Sequence, residues 1–357
     1  MIIDKQIQNK EYDDAVYHCM MNGAGNLAKL ILIALEHRKL KENEVKENEV
    51  KENEVTTEVT IVPEAKKERF RVLLMCNWCS SDELVKNWRK MSENNDNIWK
   101  DMEIVSEEPC DYYCIINRPP ANASFDPKRT VIFRMEPYME RDERQWGEFC
   151  KPDSKEYKFV GYHDIHFNNN EWHLSLTYQQ LLNQPIEKKY DNILSTILSD
   201  KYKDPGHIKR VDFIKFVEKK MEVDVFGSNK FLWKKYKGSL PMYKKDESLI
   251  PYKYGFNVEN HSIKNYYTEK LIDGILSETL MFYSGCYNVR DYIDERAYVY
   301  LELSNFEKDY MIIKKAMEED WYSQRLPYIK EAKQKILNEL QFYPRLYSIL
   351  HKQNESA

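Results

Sequence analysis

Tyr254–Gly285, YGFNVENHSIKNYYTEKLIDGILSETLMFYSG, is the stretch that decides the fold of this 357-residue chain. A short apolar run leads into Glu259-Asn260 and then into a polar loop. Tyr266, Glu269 and Lys270 gather at the head of a helix whose apolar residues, Leu271, Ile272, Ile275 and Leu276, recur at helical spacing. A second strand, Thr279 to Tyr283, closes on Gly285. The stretch predicts a strand-loop-helix-strand unit. Its charged groups lie where a helix start offers free N–H groups and the positive end of its dipole to a phosphate. It reads as a nucleotide-diphosphate site.

The same alternation extends on both sides. From Arg69 onward, RVLLMC (71–76) reads as a buried strand, DELVKNWRKM (82–91) as a helix and DYYCII (111–116) as a strand. KRTVIFRM (128–135) is a third strand, ending at Glu136, and 137–170 reads as loop. After EWHLSLTY (171–178) come a strand at 192–198, a helix at 207–220 and the strand VDVFG (223–227). Two such blocks predict an α/β protein with two parallel sheets, whose ligands sit at the carboxyl ends of strands. Tyr310 to His351 reads as amphipathic helix, broken at Pro327 and again at Pro344.

Ahead of these blocks, Asn26 caps a predicted helix ending near Leu40, which could mediate self-association. KENEVKENEVKENEV (41–55) follows. On a helix its valines step by about 140° net, and on a strand they alternate faces, so neither geometry builds a core stripe. It is expected to be a solvated spacer.

The charge balance, 54 basic against 59 acidic residues, argues against a general nucleic-acid binder. The polar, acidic start MIIDKQIQNKEYDD predicts no secretory leader, and the apolar patch Leu27–Leu35 is too short for a membrane span. A cytoplasmic location is the expectation, with the seven cysteines reduced. Cys76, Cys79, Cys110 and Cys114 are spaced loosely like zinc ligands, and His163, His166 and His173 form a small cluster. The cysteines are read as buried strand residues rather than a zinc site, and the histidines as acceptor contacts or a plain polar loop rather than metal ligands.

The motif of Tyr254–Gly285 resembles the donor-binding motif of the α1,3-fucosyltransferases, glycosyltransferase family 10. There a strand ending in Glu-Asn-Ser precedes Tyr-x-Thr-Glu-Lys and then a strand closing on Gly. The matching residues are Glu259, Asn260, Tyr266, Thr268, Glu269, Lys270 and Gly285, with His261 at the Ser position and Met281 at a usual Pro. EWHLSLTY, residues 209–227 and GCYNVRDYIDERAYVYLELSNF also have the family's form, and the likeness covers about 69–325. It implies a GT-B fold of two Rossmann-like domains facing a cleft: an acceptor domain at 67–188 and a GDP-sugar domain at 189–345. An N-terminal helical extension (1–40), the repeat linker (41–66) and a tail (346–357) would flank them.

The chemistry follows from what sugar transfer needs: charge to meet a leaving pyrophosphate, and a base for the acceptor hydroxyl. Lys270 is a compact cation near a helix start, and Arg210 suits forked phosphate contacts; the resemblance implies that both touch the pyrophosphate. Glu269 and Lys270 are adjacent, so their side chains are expected to diverge by about 100°. That makes Glu269 a ribose-hydroxyl acceptor rather than a partner of the phosphate. Tyr266 offers a phenol and an aromatic face, Asn260 a hydrogen-bonding amide, and Glu259 either a donor contact or a loop cap. Glu136, at a strand's carboxyl end, is placed as a general base should be. The resemblance implies inverting transfer of L-fucose from GDP-β-L-fucose to a glycan, with no required metal. His261 and Met281 keep another GDP-sugar open, and a non-catalytic nucleotide- or glycan-binding protein is the alternative of a different class.

Overall fold

The computed structural model describes residues 69–136, 152–162, 166–167 and 171–352. The expected amino-terminal helix, the repeat, His163 and residues 353–357 lie outside them. In the first half, β1 (Phe70–Cys76), α1 (Ser81–Trp88), β2 (Ile98–Trp99), β3 (Met102–Val105), β4 (Tyr112–Ile116), β5 (Thr130–Phe133) and β6 (Phe159–Gly161) follow in turn. The sheet order is β2-β3-β1-β4-β5-β6, parallel except for the β2–β3 pair. Buried on both faces, β1 and β5 need the continuous apolar runs VLLMC and VIF. Ser80 starts α1 by accepting from the Glu83 N–H at 3.2 Å.

The second half begins with α2 (Tyr178–Asn183), followed by β7 (Tyr190–Leu198), α3 (Pro205–Val217), β8 (Val223–Gly227) and β9 (Tyr236–Gly238). Next come α4 (Asp246–Leu249), β10 (Tyr252–Val258), α5 (Glu269–Leu276), β11 (Leu280–Ser284) and β12 (Tyr298–Tyr300). Its sheet is wholly parallel, in the order β9-β8-β7-β10-β11-β12. The order reverses direction between β7 and β10, the switch point where doubly wound sheets open a crevice at their carboxyl ends.

α6 (Phe306–Glu318), α7 (Trp321–Lys335) and α8 (Phe342–Lys352) complete the chain. The expected break at Pro327 does not occur, because that proline lies inside α7. The chain turns instead at Asp320, which adopts a left-handed conformation and caps α7, and again after a π-helical stretch, Ile336–Leu340. Pro344 sits in the first turn of α8, where its missing N–H has no helical partner to lose. The residues expected to form a tail from 346 are correspondingly helix as far as Lys352, with Leu346 and Leu350 buried. The start of α8 docks on the first half: Phe342 packs edge-on to Trp88 at 4.8 Å, and the Gln341 amide donates to the Met91 carbonyl at 3.2 Å. One apolar core runs from Val72 to Leu350 through both halves.

Candidate active site

The motif residues assemble at the switch point of the second sheet. Asp204 caps α3, Pro205 opens it, and Gly206 sits so close to the loop after β10 that a Cβ there would meet the Glu259 carbonyl oxygen at 1.7 Å. The Gly206 N–H donates to the Asn260 carbonyl at 3.0 Å, fixing the start of α3 against the motif. Opposite, Gly285 has φ +155°, and a Cβ would strike the Glu259 side chain at 2.4 Å. The two glycines clamp the Glu259-Asn260 corner from both sides.

Glu259 is the hub of this corner and is 1% exposed. It accepts from the Thr268 N–H at 2.8 Å, the Thr268 hydroxyl at 2.8 Å and the Tyr283 hydroxyl at 3.2 Å, and pairs with Lys270 Nζ at 3.5 Å. Burial pushes its carboxyl up, while Lys270 and Thr268 pull it back. Thr268 in turn caps α5, its Oγ1 accepting from the Lys270 N–H at 3.3 Å. The start of α5 is therefore met largely from within the protein. The expectation of free N–H groups for a phosphate is corrected accordingly.

Those side chains converge. Lys270 Nζ lies 3.1 Å from Glu269 Oε1, so the expected divergence of the two neighbours is also corrected: the long lysine curls back along the first helical turn. Burial would lower the ammonium, but Glu269 and Glu259 hold it above its ordinary value. Burial would likewise raise Glu269, yet Lys270, Lys245 and His173 outweigh it and keep that carboxylate well below the usual range. Arg210 is not a solvated helix-face charge. It is 4% exposed, with Nη1 donating to the Val258 carbonyl (3.2 Å) and Asn260 Oδ1 (3.3 Å), and Nη2 to Ser199 Oγ (3.0 Å). Its Nε has no hydrogen-bond partner among the described residues. Burial lowers its pKa, opposed by Glu259 and Glu269. Arg210, Asn260, Glu259, Glu269 and Lys270 thus form one connected group.

Tyr266 adjoins this group but is 2% exposed, so it offers little aromatic face to a ligand. Burial drives its phenol well up, with Glu259, Glu136 and Glu269 adding to the effect. Met281 is buried against Gly274 and Gly255, whose lack of Cβ makes room for its thioether, so it does not reach a sugar. His261 stays at the loop, with Nε2 3.8 Å from Asp204 Oδ2.

Glu136 comes from the first sheet. Beyond β5 the chain is held by Asn117, which adopts φ +61° after β4 and accepts from the backbone N–H groups of Met135 (2.7 Å) and Glu136 (3.2 Å). Glu136 itself is exposed, and its charge adds to the raising of the Tyr266 phenol.

Sequence reasoning missed Lys245, which lies 3.6 Å from Glu269 and 3.7 Å from Asp273 in a loop with no periodic signal. It also missed Glu171, which joins the Trp88 indole (2.8 Å), the Tyr243 hydroxyl (2.9 Å) and His173 (3.2 Å) between the two halves. Among the described residues no group of three or more His, Cys, Asp or Glu is gathered as a metal site requires, and no helix is long and apolar enough to cross a membrane.

Two largely parallel sheets, the second with a cationic cluster at its switch point, make this an α/β architecture with a charged crevice. Residues 187–313 match the family model described as glycosyltransferase family 10 (fucosyltransferase), C-terminal. The chain is similar to a crystal structure of an α1,3-fucosyltransferase with GDP (15% identity, 76% of this chain and 92% of that one, TM-score 0.44). It is also similar to an α1,3-fucosyltransferase with GDP-fucose (15%, 77% and 92%, 0.39) and to a glycosyltransferase from Rickettsia africae (10%, 81% and 97%, 0.45). No curated protein matches it in sequence.

Proposed function

We propose that the chain transfers L-fucose from GDP-β-L-fucose to a hydroxyl of a glycan, with inversion and without a required metal. The observation that carries this reading is the placement of Arg210 and Lys270, from different helices, at one corner of the switch point, Arg210 bonded to Asn260 and Lys270 paired with the buried Glu259. Each is held by protein partners before any ligand arrives, which is the preorganisation that stabilises charge growing on a leaving group. The pyrophosphate lies against Arg210, Lys270 and the Asn260 amide. Glu269, held ionised by Lys270 and Lys245, accepts from a ribose hydroxyl. Glu259 is internal and braces the loop rather than touching the donor.

In the reaction the acceptor oxygen attacks the anomeric carbon as the bond from that carbon to the phosphate oxygen breaks. Glu136 takes the hydroxyl proton, and GDP departs with the bonding electrons against the two cations. His261 in the donor loop favours a second reading, in which the same site takes a different GDP-sugar. Thermal melting with GDP, GDP-fucose, UDP and CDP, without added metal, tests the donor assignment. Stabilisation by GDP and GDP-fucose alone is expected, about 2.7 kcal/mol at 100 times the dissociation constant. A shift with UDP instead, or with none of them, would overturn it.

A further inference from the structure

The loop between β8 and β9 holds an apolar side chain out in water. Leu232 is 78% exposed and has φ +55°, a left-handed backbone that a leucine rarely adopts. A turn built for shape alone would carry Gly or Asn there. The loop is nevertheless firmly braced. The Leu232 N–H donates to the Asn229 carbonyl at 3.0 Å, and the Leu232 carbonyl accepts from Lys215 Nζ at 3.1 Å. The next residue, Trp233, is buried, and its indole N–H donates to the Ser228 carbonyl at 2.9 Å. Beside Leu232, the Phe231 ring meets that of the half-exposed Tyr202, from the loop after β7, at 5.8 Å. Leu198 and Gly227 form the last paired row of β7 and β8, so this apolar tip stands at the carboxyl end of the second sheet.

Cations surround the tip. SNKFLWKKYK (228–237) carries four lysines and no acidic residue, in a chain of net charge −5. Lys230 Nζ donates to the Asp200 carbonyl at 2.9 Å, which fixes its charge beside Phe231. Lys201, Lys203 and Lys234 are exposed and have no ion-pair partner among the described residues. Lys235 and Lys237 turn instead to Glu222 and Asp224. Asp204 and Asp212 are engaged by His207 (3.1 Å) and the Tyr202 hydroxyl (2.9 Å), leaving Asp200 as the acid among these lysines.

We propose that this tip is a peripheral-membrane contact for an anionic bilayer. Leu232 enters between the lipid headgroups, and Lys201, Lys203, Lys230 and Lys234 meet their phosphates. A bilayer interface accepts one apolar side chain ringed by cations without a shaped pocket, whereas a protein groove draws its affinity from several buried anchors. The proposal stands apart from the sugar-transfer reading, and either can fail alone.

Co-sedimentation of the full chain with vesicles of phosphatidylcholine, alone or mixed with phosphatidylglycerol, is the test. Wild type is expected to pellet with the mixed vesicles, to stay in solution with the neutral ones and to be released by high salt. Leu232→Asn suits the left-handed backbone, so its melting temperature should match wild type while vesicle affinity falls by about tenfold. Replacing Lys201, Lys203 and Lys234 together by Gln should weaken binding by about fivefold per lysine. Wild type that stays in solution with both kinds of vesicle overturns the proposal, and so does equal binding to both. Binding left unchanged by Leu232→Asn and by the lysine variant overturns it as well, since the contact then lies elsewhere on the chain.

Discussion

The carboxyl ends of the two sheets hold their functional groups in opposite ways. At the second sheet every charged motif residue is enclosed and cross-linked: Glu259 alone gathers Thr268, Tyr283 and Lys270. At the first sheet Glu136 is exposed, and Asn117 accepts from its backbone N–H. The difference fits the two tasks proposed for them. Meeting a pyrophosphate calls for cations fixed before the reaction, whereas a base must reach a hydroxyl arriving from solvent on a variable acceptor. Changes in the donor half should therefore disturb binding and stability together, and changes at Glu136 should disturb turnover alone.

The largest effect expected on turnover is that of Glu136→Gln. A fall in kcat of about 10²–10⁴-fold is expected, with GDP affinity by calorimetry and the melting temperature unchanged. Unchanged turnover would remove Glu136 as the base and break the comparison at its exposed end. Glu259→Ala sharpens the other end: it leaves Lys270 and the Thr268 groups without their buried partner. A stability loss of about 3–5 kcal/mol is expected, measured by urea denaturation, and a loss under 1 kcal/mol would show that the hub is not structural. Gly206→Ala should displace the motif loop and weaken GDP binding by roughly tenfold or more, on the scale of one charge-assisted hydrogen bond.

A smaller effect comes from pH. Burial and the neighbouring Arg210 push the His207 imidazole from its ordinary 6.5 to about 4. The unfolded chain then binds the extra proton between those values, so stability should fall as pH drops from 6.5 toward 4. His207→Gln should flatten that slope in denaturation at fixed pH steps. A slope identical in the variant would assign the acid sensitivity elsewhere.

The donor half was legible because its signals are local. The apolar strand, polar loop, capped helix and second strand lie within 32 consecutive residues, and each obeys a short-range rule. Arg210 was harder, since its helix carries Lys209 and Lys215 and nothing in the spacing distinguishes the buried cation from the solvated ones. Its bonds to Val258, Asn260 and Ser199 and the close approach of Gly206 set it apart. β2, β3, β6 and β9 span two to four residues each, too few to show a period, and β6 fell within a stretch read as loop. Pro327 misled because the proline rule is local, while α7 is held by packing of residues such as Ile329 and Ala332 in the core. Lys245 and Glu171 form their pairs across long sequence separations, which no pattern reports.

The most direct test of the central claim, that a GDP-sugar is held at the switch point between β7 and β10, is calorimetric titration of GDP and UDP into wild type, Arg210→Ala and Lys270→Met. The wild type should bind GDP and discriminate against UDP. Each variant should lose about 10–150-fold in GDP affinity, the worth of one charge-assisted contact, while remaining folded. Variants that bind GDP as tightly as wild type would contradict the account.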